Sequence, residues 1–75
     1  MNIVDIMFYV KNETNENLRD RMIKNLRNIE GVIAPGFVPN RDKLLVVAYD
    51  PVVVNSSVFR DTLNKMDVST SIVAI

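Results

Sequence analysis

The sequence predicts one α+β domain whose elements follow the order β-α-β-β-α-β. Short runs of branched and aromatic residues, too short for helices, occur in four places, and apolar residues at helical spacing follow the first and third of them. A chain of 75 residues with 48% hydrophobic content can bury one small core. We therefore expect residues 1–75 to form a single domain.

The first half of the chain predicts a buried strand followed by an amphipathic helix. Ile3 to Val10 are nearly all apolar, which favours the strand. The apolar stripe of the helix is Leu18, Met22, Leu26 and Ile29. Thr14 or Asn15 can cap the helix by accepting a hydrogen bond from an amide of its first turn, and Gly31 ends it.

The middle of the chain predicts a hairpin. Val32 to Val38 form a second strand, and Pro35 places it at a sheet edge because proline cannot donate to a ladder. Pro39 to Asp42 have the composition of a turn. Leu44 to Tyr49, which begin with a run of aliphatic residues, form the third strand and should be central.

A second helix and a last strand complete the prediction. Asn55 caps this helix, with Val54 and Phe59 placed to pack against each other as a hydrophobic staple. Its buried stripe is Phe59, Leu63 and Met66, and Val68 to Ile75 form the last strand. Right-handed crossovers then give a four-stranded antiparallel sheet with both helices on one face, the ferredoxin-like architecture, with the first and third strands central.

Composition excludes several classes of partner. Nine Lys plus Arg balance nine Asp plus Glu at a pI of about 6.1, so no global field attracts nucleic acid or anionic lipid. The start of the chain lacks the basic and apolar regions of a signal peptide, and the apolar runs Ile6 to Val10 and Leu44 to Tyr49 are too short to span a bilayer. Without cysteine there is no disulfide framework. We expect a cytoplasmic protein with no membrane insertion.

The residues that usually carry chemistry are scarce. Cysteine and histidine are absent, and the remaining Ser, Thr, Lys, Asp and Glu show no spacing that pairs a nucleophile with a base. Gly31 and Gly36 are the only glycines, so no loop can cradle a phosphate. Three carboxylates, at Glu13, Glu16 and Asp20, lack the ligand spacing of a calcium loop and are interpreted as stabilising the helix dipole. We expect no enzymatic activity and no cofactor.

Three parts of the sequence occur in a recognisable order and spacing. The first helix has apolar residues at Met22, Leu26 and Ile29, Lys43 to Pro51 close with Tyr-Asp-Pro, and Val54-Asn55-Ser56 begin the second helix. Together they resemble the heavy-metal-associated domain of small copper chaperones and metal-pumping ATPases, matching the apolar spacing of its first helix, its third strand and the start of its second helix. The resemblance spans essentially the whole chain and implies the same ferredoxin-like fold.

The metal-binding motif of that family is missing. Its loop, Gly-Met-Thr-Cys-x-x-Cys, falls on Asn12-Glu13-Thr14-Asn15-Glu16-Asn17-Leu18. The cysteines therefore correspond to Asn15 and Leu18, and neither an amide nor an aliphatic side chain replaces a thiolate for a soft ion. On the opposite loop, the family's glycine and aromatic residue become Asp67 and Val68. We expect no metal site.

A nucleic-acid-binding alternative is disfavoured. The RNA recognition motif shares this element order, and Phe8 to Asn12 faintly resemble its first-strand motif. That family stacks bases on aromatic residues of a central strand, whereas Lys43 to Ala48 offer aliphatic side chains. The basic residues of the first helix, interpreted as a solvated face, are Arg19, Arg21, Lys24 and Arg27.

The sheet face turned away from the helices is predicted to be apolar. If Ile6, Phe8 and Val10 point to the core, the period of two places Met7 and Tyr9 on the open face. Other apolar members are Leu44, Val46, Ala48, Ala34, Val38 and Val73, and the polar exceptions are Asp5, Ser69 and Ser71. A register slip would substitute Leu45, Val47 and Tyr49. The face is apolar in either case, although such sheets normally show polar residues there.

These observations favour a metal-free interaction module that forms a homodimer or contacts another protein. The predicted interface comprises Met7, Tyr9, Leu44, Val46, Ala48 and Val73. One alternative is a regulatory domain of the amino-acid-sensing type, which has the same topology and holds small ligands at a dimer interface. The other, implied only by the family resemblance, is metal binding or transfer.

Overall fold

The computed structural model describes residues 2–73 and confirms the ferredoxin-like architecture. The elements are β1 (Val4–Val10), α1 (Glu16–Arg27), β2 (Val32–Val38), β3 (Arg41–Tyr49), α2 (Ser57–Asn64) and β4 (Thr70–Ile72). The four strands form an antiparallel sheet in the order β2-β3-β1-β4. As predicted, β1 and β3 are central and β2, which contains Pro35, is at an edge.

A single hydrophobic core lies between one face of the sheet and the two helices. Its buried members are Phe8, Val10, Met22, Leu26, Leu45, Val47, Phe59, Leu63 and Val68. The predicted core direction of β1 is therefore correct. Tyr49 at the end of β3 meets Phe59 edge to face, with ring centroids 5.0 Å apart and an interplanar angle of 82°. Through this contact the start of α2 packs against the sheet.

Helix α1 begins as predicted and ends earlier. The Asn15 Oδ1 atom accepts a hydrogen bond from the Leu18 amide at 2.8 Å, which makes Asn15 the N-cap. The helix ends at Arg27 because the hydrogen bonds beyond it change to the tighter spacing of three residues. The Ile29 amide donates to the Leu26 carbonyl at 3.1 Å. Gly31, expected to end α1, instead sits at φ 97° immediately before β2.

The hairpin turn is shorter than predicted. The residues at its tip are Pro39 and Asn40, and β3 already begins at Arg41 rather than at Leu44. Asn40 adopts φ 64°, a left-handed conformation that asparagine tolerates well, and this allows the chain to reverse within two residues. The pairing register between β2 and β3 shifts after Phe37, which absorbs the additional residues of β3.

The second helix and the last strand differ slightly from the prediction. The N-cap of α2 is Ser56, one residue later than the predicted Asn55, and the Ser56 side chain forms no capping bond. The Asn55 Oδ1 atom accepts from the Ser57 amide at 2.9 Å, one residue ahead of that cap. Strand β4 is limited to Thr70–Ile72 among the described residues. Val68 precedes it and fills the core at 1% exposure. The predicted extension to residues 74 and 75 lies outside the described part.

Candidate functional site

The loop that enters α1 uses its side chains for folding. Asn15 corresponds to the first cysteine of the family motif, and its side-chain oxygen caps the helix. Leu18, at the second, is half-buried and packs against the core. Both positions therefore have structural roles that do not involve a ligand.

The same loop is tied directly to the loop before β4. The Asn12 Oδ1 atom accepts from the Ser69 amide at 2.7 Å, and its Nδ2 atom donates to the Asp67 carbonyl at 3.2 Å. A backbone bond from the Lys11 amide to the Ser69 carbonyl, at 2.9 Å, lies beside them. We call the two side-chain bonds the Asn12 clamp. It joins the two loops that flank the metal position in the family resemblance.

The Asn12 clamp was not predicted from the sequence. Asparagine provides a donor and an acceptor in one side chain, which suits a bridge between two backbone groups. Its partners, however, lie 55 and 57 residues away along the chain. No local pattern links positions so far apart. Ser69, predicted to lie on the open face, contributes its backbone amide to this clamp ahead of β4.

The acidic residues of the α1 entry do not form a cation site. Glu13 turns towards the hairpin and pairs with Lys43, with 3.3 Å between the carboxylate oxygen and Nζ. This hydrogen bond, assisted by the negative charge of Glu13, raises the pKa of the Lys43 ammonium above its ordinary value of 10.5. Glu16 lies in the first turn of α1, as predicted. Within residues 2–73, no group of three or more Asp and Glu could hold a metal ion.

The open face is defined by the strand register. Met7 pairs with Val46, Tyr9 with Leu44, and Asp5 with Ala48. Their sequence neighbours Phe8, Leu45 and Val47 are buried in the core, so these pairs lie on the opposite side and the alternative register is wrong. The open face comprises Asp5, Met7, Tyr9, Ala34, Gly36, Val38, Leu44, Val46, Ala48, Ser71 and Val73.

Side chains on the open face form rows across the strands. Tyr9 and Leu44 form a row of large residues near the hairpin, and Tyr9 is 41% exposed. Ala48 and Ala34 form a row of small residues at the other end, beside Asp5. Between them, Met7, Val46 and Gly36 form a middle row. Ile33, which the register shift between Val32 and Ala34 places next to Ala34, is 47% exposed at the end with the small residues.

Two shallow depressions interrupt the open face. One, of about 400 Å³, lies over β2 and β3, where Gly36 has nothing within 4 Å of the position a Cβ would occupy. The other, of about 270 Å³, is lined by Tyr9, Arg41 and Lys43 among others. Arg41 forms no ion pair with any residue of the described range. The second depression thus combines an apolar wall with charges of both signs, because Asp42 lines it beside Arg41 and Lys43.

Exposed aliphatic residues also occur in the turn after β3. Val52 is 82% exposed and Val53 is 51% exposed. Val53 lies against Gly31, close to where β2 begins. These two residues were not predicted to be exposed, because they lie in a turn and follow no periodic pattern.

The class of protein follows from this arrangement: a ferredoxin-like domain in which the β1–α1 loop meets the α2–β4 loop at one end of the sheet. Solved heavy-metal-associated domains have this fold. The crystal structure of oxidized MerP from Ralstonia metallidurans CH34 aligns at a TM-score of 0.85 and 14% identity, covering 97% of this chain and 100% of that chain.

Two further structures support the same assignment. The CopZ metallochaperone aligns at a TM-score of 0.82 and 18% identity, over 91% of this chain and 100% of its own. The Cu(I)-loaded amino-terminal domain of a potential copper-translocating P-type ATPase from Bacillus subtilis gives 0.78 and 21%, over 91% and 84%. No protein-family model and no curated protein matches the sequence.

The chain therefore has the fold of the heavy-metal-associated domain and contains no cysteine. The resemblance predicted from the sequence is confirmed for the fold. No helix within residues 2–73 is long and apolar enough to cross a membrane.

Proposed function

We propose that this chain is a non-catalytic, metal-free relative of the heavy-metal-associated domain that acts as a protein-interaction module in the cytoplasm. The observation that carries the proposal is the apolar open face. An antiparallel sheet covered by helices on one side normally presents polar residues on the other. Here that side presents Met7, Tyr9, Leu44, Val46 and Ala48. Association with another protein surface would remove these side chains from water.

Loss of soft-metal binding is the first part of the proposal. It is supported by the engagement of Asn15 in the helix cap and of Leu18 in the core. Titration with Cu(I), Zn²⁺ and Cd²⁺, followed by the amide NMR signals of residues 11–19, should leave those signals unmoved. The double variant Asn15→Cys, Leu18→Cys is the matched control, because two thiolates at these positions supply soft ligands. Metal-dependent shifts in the unmodified chain would contradict this part.

Interaction through the open face is the second part. Light scattering after size exclusion, from about 10 μM to 1 mM, should show a mass that rises with concentration if the face associates with itself. Tyr9→Glu should abolish the rise, because burying an unpaired carboxylate is costly. Val52→Glu, a matched change at an exposed aliphatic residue outside the face, should not. A monomer at all concentrations would reject self-association.

The ligand-sensing alternative has one observation in its favour. The depression of about 270 Å³ beside Tyr9 and Arg41 is large enough for a small metabolite and offers a cation to a carboxylate. Thermal unfolding against a panel of amino acids tests this alternative. A rise in the melting temperature with one member, absent in Arg41→Gln, would favour it; no response to any member would count against it.

A further inference from the structure

We propose that the pocket between α1 and the β2–β3 hairpin binds a free α-amino acid with an apolar side chain. This inference goes beyond the interaction role of the open face and concerns a different surface. The pocket has a volume of about 430 Å³ and is lined by Arg19 from α1 and by residues 37–42 of the hairpin. A cavity of this size lies within the range of small-molecule sites in proteins.

Arg19 presents a positioned cation to this pocket. Its side chain is 25% exposed, and its Nη1 atom donates to the Thr14 hydroxyl at 2.9 Å, which holds the guanidinium in place. A guanidinium carries several N–H donors in a fixed fork. Among the described residues, Thr14 is the one hydrogen-bond acceptor of Arg19. The other donors can therefore bind a carboxylate in the pocket, which accepts two parallel bonds from such a fork.

Asp42 presents the opposite charge beside Arg19. Its Oδ2 atom lies 3.8 Å from the Arg19 Nη1 atom, which is too far for a hydrogen bond. The two charges therefore attract each other across a gap without satisfying each other's hydrogen-bonding capacity. The Asp42 side chain is 69% exposed, so its carboxylate can accept hydrogen bonds from an ammonium group that enters the pocket.

The spacing of these two charges matches an α-amino acid. In such a ligand a single carbon atom separates the carboxylate from the ammonium group, so its two charges are also close neighbours. When the ligand lies antiparallel to the Arg19–Asp42 pair, its carboxylate meets the guanidinium and its ammonium group meets the aspartate. Every charge then has neighbours of opposite sign. A ligand with a carboxylate alone would face Asp42 with a like charge, which is unfavourable.

The other lining residues determine the remainder of the ligand. Phe37, Val38 and Pro39 provide hydrocarbon surface, which suits an apolar side chain. Arg41 is exposed and forms no ion pair within the described range, so it adds positive potential to the pocket. With one fixed partner for each ligand charge and a wall of moderate size, we expect a dissociation constant of about 0.1–1 mM.

Amide NMR titration of the labelled chain with leucine, up to about 20 mM, tests the inference. Binding predicts saturable shifts of residues 37–42 and of the Arg19 Nε signal. Tyr9 and Leu44, which line the depression on the open face, should not shift. Glycine, which lacks a side chain to contact the apolar wall, should bind at least about fivefold more weakly than leucine.

Substitution of Arg19 tests its role as the carboxylate partner. Arg19→Gln should raise the dissociation constant for leucine at least about tenfold, because the charged fork is lost. Arg19→Lys keeps the charge without the fork, so its affinity should lie between those of the unmodified chain and Arg19→Gln. Arg21→Gln, at an exposed arginine of the same helix, is the matched control and should leave the affinity unchanged.

Asp42→Asn gives a readout that a merely structural role would not produce. It should weaken the binding of leucine at least about fivefold, because the ammonium group loses its charged partner. The same variant should bind 4-methylpentanoate, which is leucine without its ammonium group, as tightly as the unmodified chain or more tightly, because a like charge is removed. An equal loss for both ligands would overturn the inference.

Two further results would overturn it. One is the absence of saturable shifts with leucine at about 20 mM. The other is a set of shifts confined to Tyr9, Leu44 and their neighbours, which would place the ligand in the depression on the open face and favour the ligand-sensing alternative described above. Neither result bears on association through the open face, which light scattering tests separately.

Discussion

Removing the Asn12 clamp should lower the stability of the fold by a measurable amount. In Asn12→Ala, the Ser69 amide loses its acceptor at 2.7 Å and the Asp67 carbonyl loses its donor at 3.2 Å. A typical hydrogen bond contributes a net of about 0.5–1.5 kcal/mol. Because both bonds lie at the surface, where water replaces the lost partners, we expect a combined loss of about 1–2 kcal/mol.

The assay is urea and thermal unfolding followed by circular dichroism. For a domain of this size, a loss of 1 kcal/mol lowers the melting temperature by about 4–8 °C, so Asn12→Ala should melt about 4–16 °C below the unmodified chain. The denaturant slope should not change, since no buried surface is lost. Asn12→Asp keeps the acceptor for the Ser69 amide and loses the donor to the Asp67 carbonyl. It should therefore lower the free energy of unfolding by about half as much as Asn12→Ala does.

The matched control is Asn17→Ala. Asn17 is exposed on α1, and its side chain forms no hydrogen bond with a described residue. Alanine has the higher helix propensity, so this change should leave stability unchanged or raise it slightly. If Asn12→Ala unfolded at the same denaturant concentration as Asn17→Ala, the clamp would contribute nothing and the reasoning would be wrong.

Three further changes test other parts of the structure. Gly31→Ala should lower the free energy of unfolding in urea by about 2–4 kcal/mol. An L-residue is strained at φ 97°, and its Cβ would lie 2.8 Å from a side-chain atom of Val54. An unchanged midpoint of unfolding would contradict this. Asn15→Ala should lose about 1 kcal/mol in the same assay through the missing cap, whereas Asn15→Asp should not. The hydrogen bond to Glu13 raises the pKa of Lys43 in the folded chain above its ordinary value of 10.5. The contribution of this ion pair to the free energy of unfolding is therefore fully present below pH 10.5 and is lost as the pH rises through the folded pKa. The difference from Lys43→Gln should therefore be constant from about pH 6 to 9, and a decline within that range would oppose the assignment.

Local chemistry made most of the fold predictable. The branched runs, the stripe of α1 and its capping Asn15 are each decided by residues close in sequence, and the structure retains them. The errors occurred where backbone conformation was decisive. Asn40 reverses the hairpin with a left-handed conformation, so β3 begins three residues before the predicted Leu44. A tightened last turn likewise ends α1 before Ile29, although that side chain still packs against the core.

The candidate site was predictable where it depended on periodicity. The period of two in β1 correctly placed Met7 and Tyr9 on the face opposite Phe8, because one buried face of a strand determines the other. The neighbours of Met7 and Tyr9 across the face were not predictable, because the register of β2 on β3 is decided by the bulges of β2 and by the turn.

The Asn12 clamp and the open face together support the proposed metal-free role of this domain. In the family resemblance, a bound ion would sit between the β1–α1 loop and the loop before β4, and metal binding contributes to folding where it occurs. In this chain the Asn12 side chain joins those loops, and Asn15 and Leu18, which correspond to the cysteines of the family motif, serve the helix cap and the core. Stability of this domain should therefore be independent of any ion. The apolar sheet face contributes nothing to the core, so its composition is better explained by a partner than by folding.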